Sequence, residues 1–182
     1  RVFRGLHDVG LEAVPNLGGH AQTVREQGWF ATAEVVATHP AERGNERLVF
    51  QLHDGARVEG VLLPNDKHPG RTTLCLSSQV GCAMACRFCA TGTLGLSRQL
   101  KAGEIVAQVQ AARERIDGRL THLVFMGMGE PLHNYRELRR ALAVLFDPHG
   151  QPVARDRVTI STVGLPDRIR ALREDFGGRV QL

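Results

Sequence analysis

The stretch Gly81-Cys82-Ala83-Met84-Ala85-Cys86-Arg87-Phe88-Cys89 decides how the chain is read. It is a C-x-x-x-C-x-x-C run ending in an aromatic–cysteine pair. Three thiolates can hold three irons of a cubane and leave the fourth open to a small molecule, so the spacing points to catalysis. The competing reading is a zinc site completed by His68, His122 or His133. Zinc motifs usually pair their cysteines in two separated knuckles, and the sequence holds no second knuckle.

Working outward, the 182 residues suffice for one compact domain with a core. A hydrophobic content of 42% marks the chain as globular. No apolar run reaches membrane-spanning length and no signal peptide opens the chain, so no membrane association is expected. Of the four cysteines, three are clustered, which argues against a secreted disulfide framework and for a reducing cytoplasm. The formal charge of +4 permits a nucleic-acid partner without demanding one. Aromatics at 5% are too few to build a visible stacking platform for single strands. The chain starts at Arg1 and stops in the apolar run Val180-Gln181-Leu182, so a fragment of a longer product is expected.

An α/β fold is expected. Residues 1–45 read as an accessory segment, with short helices around Leu6, Leu11 and Val14 and over Ala21 to Val36. Residues 46–70 read as a β-hairpin and linker, because Asp54-Gly55 separates two β-prone runs. From residue 71 strands and helices alternate. Strands are expected at Thr72–Ser77, Leu120–Met126, Val158–Thr162 and from Val180. Helices are expected at Ala102–Ile116, Tyr135–Phe146 and Pro166–Phe176. This order implies a parallel sheet or the first part of a partial (β/α) barrel over 71–182, truncated at the start of its fourth strand. Function in such folds collects at the carboxyl ends of strands. The cysteine loop, Gly129-Glu130 and Ser161-Thr162 all fall there.

Taken together, Ser77-Ser78-Gln79-Val80-Gly81-Cys82 with the rest of the cysteine loop, Phe125-Met126-Gly127-Met128-Gly129-Glu130-Pro131-Leu132-His133-Asn134-Tyr135, and Val158-Thr159-Ile160-Ser161-Thr162-Val163-Gly164-Leu165 resemble the radical S-adenosylmethionine (SAM) RNA methyltransferases of the RlmN/Cfr family. The resemblance covers residues 47–182. It implies a 4Fe-4S cluster held by Cys82, Cys86 and Cys89, with SAM on the open iron. It implies SAM contacts from Gly129, Glu130 and Ser161, and packing of Phe88 near the adenosyl group. Phe88 also reads as a plain loop anchor, and Glu130 as a helix cap. Val163 stands where the family commonly has serine. By position Glu59 matches the family's proton acceptor and Cys75 its resolving cysteine, although a surface strand glutamate and an inert buried thiol are the ordinary readings.

The implied reaction is methylation of carbon 2 of adenosine in 23S rRNA, and possibly in tRNA, by a monomer served by a flavodoxin-like electron donor. Carbon 8, the Cfr target, is the alternative, as is an inactive truncated iron–sulfur or RNA-binding module. The family's mechanism uses a further cysteine near its C-terminus as methyl carrier, and no cysteine follows Cys89. Its Ser-x-His-Ala stretch on the fourth strand is also missing. The chain alone is therefore expected to be inactive.

Overall fold

The computed structural model describes residues 33–149 and 152–182. Its strands are β1 (Ala33–Pro40), β2 (Glu46–Leu52), β3 (Arg57–Pro64), β4 (Arg71–Cys75), β5 (Gln79–Gly81), β6 (Leu96–Gln99), β7 (Arg119–Phe125) and β8 (Val158–Ile160). Its helices are α1 (Ala90–Thr93), α2 (Ala102–Arg113), α3 (Tyr135–Leu145) and α4 (Pro166–Phe176).

A six-stranded sheet runs in the order β1-β2-β3-β4-β7-β8. Pairing is antiparallel from β1 to β4 and parallel from β4 through β7 to β8. Gln181 adds a single parallel bridge to Thr159, where the next strand was expected. The hairpin at Asp54-Gly55 thus feeds directly into the parallel part of the sheet. β5 and β6 form a separate two-stranded ribbon around the cysteine loop.

The core lies between one face of the sheet and the helices. Phe50, Val58, Leu62, Leu74, Leu123, Phe125, Val158 and Ile160 supply the sheet side, at 0–3% exposure. Ile105, Val109 and Ala112 of α2, with Leu138 and Leu142 of α3, are fully buried on the helix side. The alternation of buried and open residues along β2 and β3 is the period-2 signature of a sheet covered on one side. Among the described residues no helix is long and apolar enough to cross a membrane.

One expectation fails. The helix read over Ala21 to Val36 is a strand from Ala33 onward, while its residues 21–32, like the helix near Leu6, Leu11 and Val14, lie outside the described residues. The register of β1 against β2 shifts between Val35 and Ala37. The extra residue breaks the period-2 pattern that marks a strand. Two further strands, β5 and β6, carried no periodic signal because they span three and four residues.

A charged cluster fastens the hairpin turn to the rest of the fold. Arg98 on β6 grips Glu104 of α2 with two bonds of 2.8 and 2.9 Å and donates from Nε to Asp54 at 2.8 Å. The Glu104 side chain is fully buried, whereas that of Asp54 is 37% exposed. Removing one partner of a buried pair leaves the other charge uncompensated. Arg98→Ala is therefore expected to cost about 3–5 kcal/mol in urea unfolding, and Asp54→Asn no more than about 1 kcal/mol. Equal, small losses in both variants would show that Glu104 does not depend on Arg98.

Candidate active site

Cys75 is the last residue of β4, and the polar run Ser77-Ser78-Gln79 that follows is almost wholly buried, at 0–1% exposure. Each of these residues reaches a different neighbour. Ser77 donates from Oγ to the Glu59 carbonyl at 2.6 Å and accepts from Met128 N at 2.8 Å. Its own backbone exchanges two bonds with the side chain of Gln108 on α2. Asn134 donates to the carbonyls of Ser78 and Leu100. Gln79 accepts the backbone N–H of Glu130 at 2.8 Å and donates to Gln99 at 2.8 Å and His133 at 3.1 Å. Among the described residues Ser78 Oγ is the one buried side-chain polar atom without a hydrogen-bond partner.

Gly129 turns here with φ 101°, a conformation L side chains rarely adopt, and a Cβ on it would stand 2.5 Å from Gln79 Cβ. The absent side chain lets the loop after β7 close onto the start of β5. Glu130, 3% exposed, then becomes the junction of two loops. Its Oε1 accepts from Leu132 N at 2.9 Å and Thr162 Oγ1 at 2.8 Å, and its Oε2 accepts from Val163 N at 2.9 Å. The carboxylate thus stitches the end of β7 to the end of β8. Val163 takes part through its backbone, and its side chain is exposed. Ser161 lies exposed beside this junction, its N–H donating to the Phe125 carbonyl at 3.3 Å.

Cys82, Cys86 and Cys89 are all free thiols on the loop between β5 and α1. Ala85 holds a left-handed φ of 50°, and Gly92 brings the first turn of α1 so close that a Cβ there would meet the Cys86 carbonyl at 2.9 Å. The loop is consequently tightly coiled. Phe88, 94% exposed, stands out from it. Among the described residues the only trio of potential ligand atoms within 4.8 Å of one another is His53, Asp54 and Glu104. The three sulfurs are not drawn together to that distance. Three free thiols on one coiled loop are the donor set an iron–sulfur cluster takes. None of the candidate zinc histidines joins it. His68 lies in the turn before β4, His122 on β7 faces Thr121 and Arg157, and His133 meets Gln79 and Gln99.

Glu59 and Cys75 share the sheet face opposite the helices. Val61 pairs with Cys75, Cys75 with Val124, and Val124 with Thr159, forming one row. Glu59 lies two residues along β3 from Val61 and so projects from the same face. Its side chain is 48% exposed and pairs with Arg47 at 3.3 Å. Cys75 is 8% exposed.

The residues that the sequence points to are Cys82, Cys86, Cys89, Phe88, Gly129, Glu130, Ser161, Glu59 and Cys75. The structure brings Glu130 and Gly129 next to the loop after β8, and sets Glu59 and Cys75 on one face. It adds Ser77, Gln79 and Thr162, which hold these parts together. Three consecutive polar residues directly after a buried strand were the available signal.

Burial pushes the Cys75 thiol up, against a weaker pull from its hydrogen bond with the Met126 backbone. The folded protein therefore holds this proton more tightly than the unfolded chain. The associated stability is present below the ordinary thiol value of about 8.5 and lost as pH rises through the folded value. Alkylation mapped by mass spectrometry should give Cys75 a pH midpoint above about 8.5. A midpoint at or below it would show that burial does not govern this thiol.

Residues 76–176 match the family described as the Radical SAM superfamily. A probable RNA methyltransferase of Sorangium cellulosum (strain So ce56) is 51% identical over 146 residues, 78% of this chain and 36% of the relative. The dual-specificity RNA methyltransferase RlmN of Anaeromyxobacter sp. (strain Fw109-5) is 47% identical over 187 residues, 96% of this chain and 49% of the relative. The crystal structure of a radical SAM methyltransferase from Sphaerobacter thermophilus superimposes with a TM-score of 0.74 at 37% identity, covering 88% of this chain and 47% of that one. The chain spans about half or less of the length of these proteins. The match over the cysteine loop, β7, α3, β8 and α4 covers more than half of the sequence, and the chain belongs to the radical SAM superfamily, with RlmN-type RNA methyltransferases among its relatives.

Proposed function

We propose that this chain carries the cluster- and SAM-binding elements of an RNA methyltransferase that modifies carbon 2 of adenosine in 23S ribosomal RNA, and an adenosine of transfer RNA as well. The observation that carries the reading is the meeting of Gly129-Glu130 with Ser161-Thr162-Val163 beside the buried Gln79 that leads into the cysteine loop. The superfamily implies an iron–sulfur cluster and SAM. When bound, these groups supply the radical chemistry that an adenine ring carbon needs, since that carbon is no nucleophile.

The chain's own residues divide the remaining work. Cys82, Cys86 and Cys89 would hold the cluster as thiolates. Gly129, lacking a side chain, lets a ligand approach the backbone. Among the described residues Glu130 Oε2 accepts one hydrogen bond, from Val163, which leaves it a lone pair for the SAM ammonium. Ser161 offers an exposed hydroxyl next to it. Phe88, standing clear of its loop, would cover the adenosyl group. Glu59 is within the half-open face where a substrate base would sit, and would accept the ring proton. Cys75, on that same face and kept protonated by burial, would serve late in turnover as the resolving thiol. Relatives carrying the RlmN name support the RNA target, and a flavodoxin-like donor would reduce the cluster.

Two measurements test this. SAM titration of the reconstituted protein should show Glu130→Ala weakening binding by about 1.5–3 kcal/mol, with Asp156→Asn, near the far end of β8, unaffected. Anaerobic turnover of the parent protein with SAM, a reductant and unmodified RNA, read by nucleoside mass spectrometry, should give 2-methyladenosine. Product methylated at carbon 8 would move the target, and no methylated adenosine at all would overturn the reading.

A further inference from the structure

A cleft of about 450 Å³ opens beside the Gly129–Glu130 turn, between β6 and the N-terminal turns of α3 and α4. Gln99, His133, Arg136, Glu137, Arg139 and Arg168 line it. Three guanidiniums thus face one carboxylate. That carboxylate is already engaged: Glu137 accepts from Arg136 at 2.9 Å, Arg140 at 3.1 Å and Ala102 N at 3.1 Å. Burial works against its charge, but these bonds outweigh it and hold the Glu137 carboxyl below its ordinary range. Arg136 uses Nε for this contact, leaving its two terminal nitrogens to the cleft. Arg139 is 3.9 Å from Asp175, which is itself bonded by Tyr135 at 2.6 Å. Arg168 makes no ion pair among the described residues, and its guanidinium lies over the Tyr135 ring at 5.7 Å.

The hydrogen-bond chain from the SAM turn settles what His133 can offer. The Glu130 backbone N–H can only donate, so the Gln79 atom receiving it is the carbonyl oxygen. The other end of Gln79 is then the amide nitrogen, a donor. It donates to Gln99 Oε1 and to His133 Nδ1. Gln99 Nε2, likewise a donor, stands 3.4 Å from the same Nδ1. Nδ1 is therefore the accepting nitrogen, and the ring N–H is the one at Nε2. The lining accordingly presents N–H donors: the ring Nε2–H and three guanidiniums.

We propose that this cleft binds a phosphate group of an RNA backbone, holding the strand beside the SAM turn while a base enters the site. The proposal rests on the RNA-directed reading above. Guanidiniums suit phosphate because their planar fork donates two bonds at once. The cleft also has more room than a phosphate needs, enough for the sugar attached to it. A neighbouring cavity of about 490 Å³ is less suited. Its Arg155 is stacked against Phe146 and Phe176, and Asp147 and Asp175 face it.

The test is fluorescence anisotropy of a labelled hairpin copied from the 23S target, measured on the protein from about 50 to about 200 mM salt. Arg136→Gln and Arg168→Gln should each weaken RNA binding by about tenfold or more. The double variant should also flatten the salt dependence by about one or more. Arg170→Gln, on the same helix but paired with Asp167 outside the cleft, serves as the control. SAM titration and thermal unfolding should match the unaltered protein in all four variants, which separates a lost contact from a lost fold. Tight RNA binding with the same salt slope in the double variant would overturn the cleft and leave the RNA reading standing. If the hairpin does not bind, inorganic phosphate titrated against the ¹⁵N signals of His133 decides. A shift abolished by Arg168→Gln would support an anion site and sink the RNA reading, and no shift would overturn the proposal.

Discussion

The buried carboxylate of Glu130 is the constraint on which the rest of the site depends. A charge at 3% exposure is costly unless its lone pairs are taken up. Here three donors take up three of the roughly four lone-pair sites: Leu132 N from its own loop, and Thr162 Oγ1 and Val163 N from the loop after β8. Charge-assisted bonds of this kind contribute about 1.5–3 kcal/mol each. The ends of two neighbouring parallel strands are thereby set in register before any ligand arrives, which is the preorganisation a binding site requires.

Gln79 extends that constraint to the third strand end. It fixes the Glu130 backbone from one end of its amide, and Gln99 and His133 from the other. Ser77 ties the loop after β7 to β3 through Met128 N and the Glu59 carbonyl. The hairpin, the cysteine loop and the two strand-end loops are thus connected by three buried side chains. An apolar replacement at Gln79 or Ser77 would leave several buried N–H and C=O groups unpaired.

Much of the fold was legible from periodicity. The helix at Pro166–Phe176 has the expected bounds, because Pro166 opens it and Gly177 closes it in a left-handed turn. The hairpin was legible from Asp54-Gly55, whose strands alternate cleanly. β1 was not, because its bulge shifts the alternation by one residue. β5 and β6 were too short to carry a period. At the site, the cysteines and Gly129-Glu130 stood out by spacing and by resemblance. The carboxylate's partners did not: Thr162 and Val163 lie more than thirty residues away, and Val163 contributes a backbone N–H that no side chain advertises. Gln79 escaped because a buried amide acquires its meaning only from what surrounds it.

The loop from Cys82 to Cys89 is proposed to hold a four-iron cluster with one iron open. Its donor set is three free thiols on a tightly coiled loop that follows Gln79, the residue bonded to the Glu130 backbone. The most direct measurement is Mössbauer spectroscopy with iron and sulfide analysis of the anaerobically reconstituted protein, repeated after adding SAM. The expected result is a 4Fe-4S spectrum in which one iron site changes when SAM binds, and loss of the cluster in Cys86→Ala. Stoichiometric zinc in place of iron, or a cluster whose four irons ignore SAM, would contradict it.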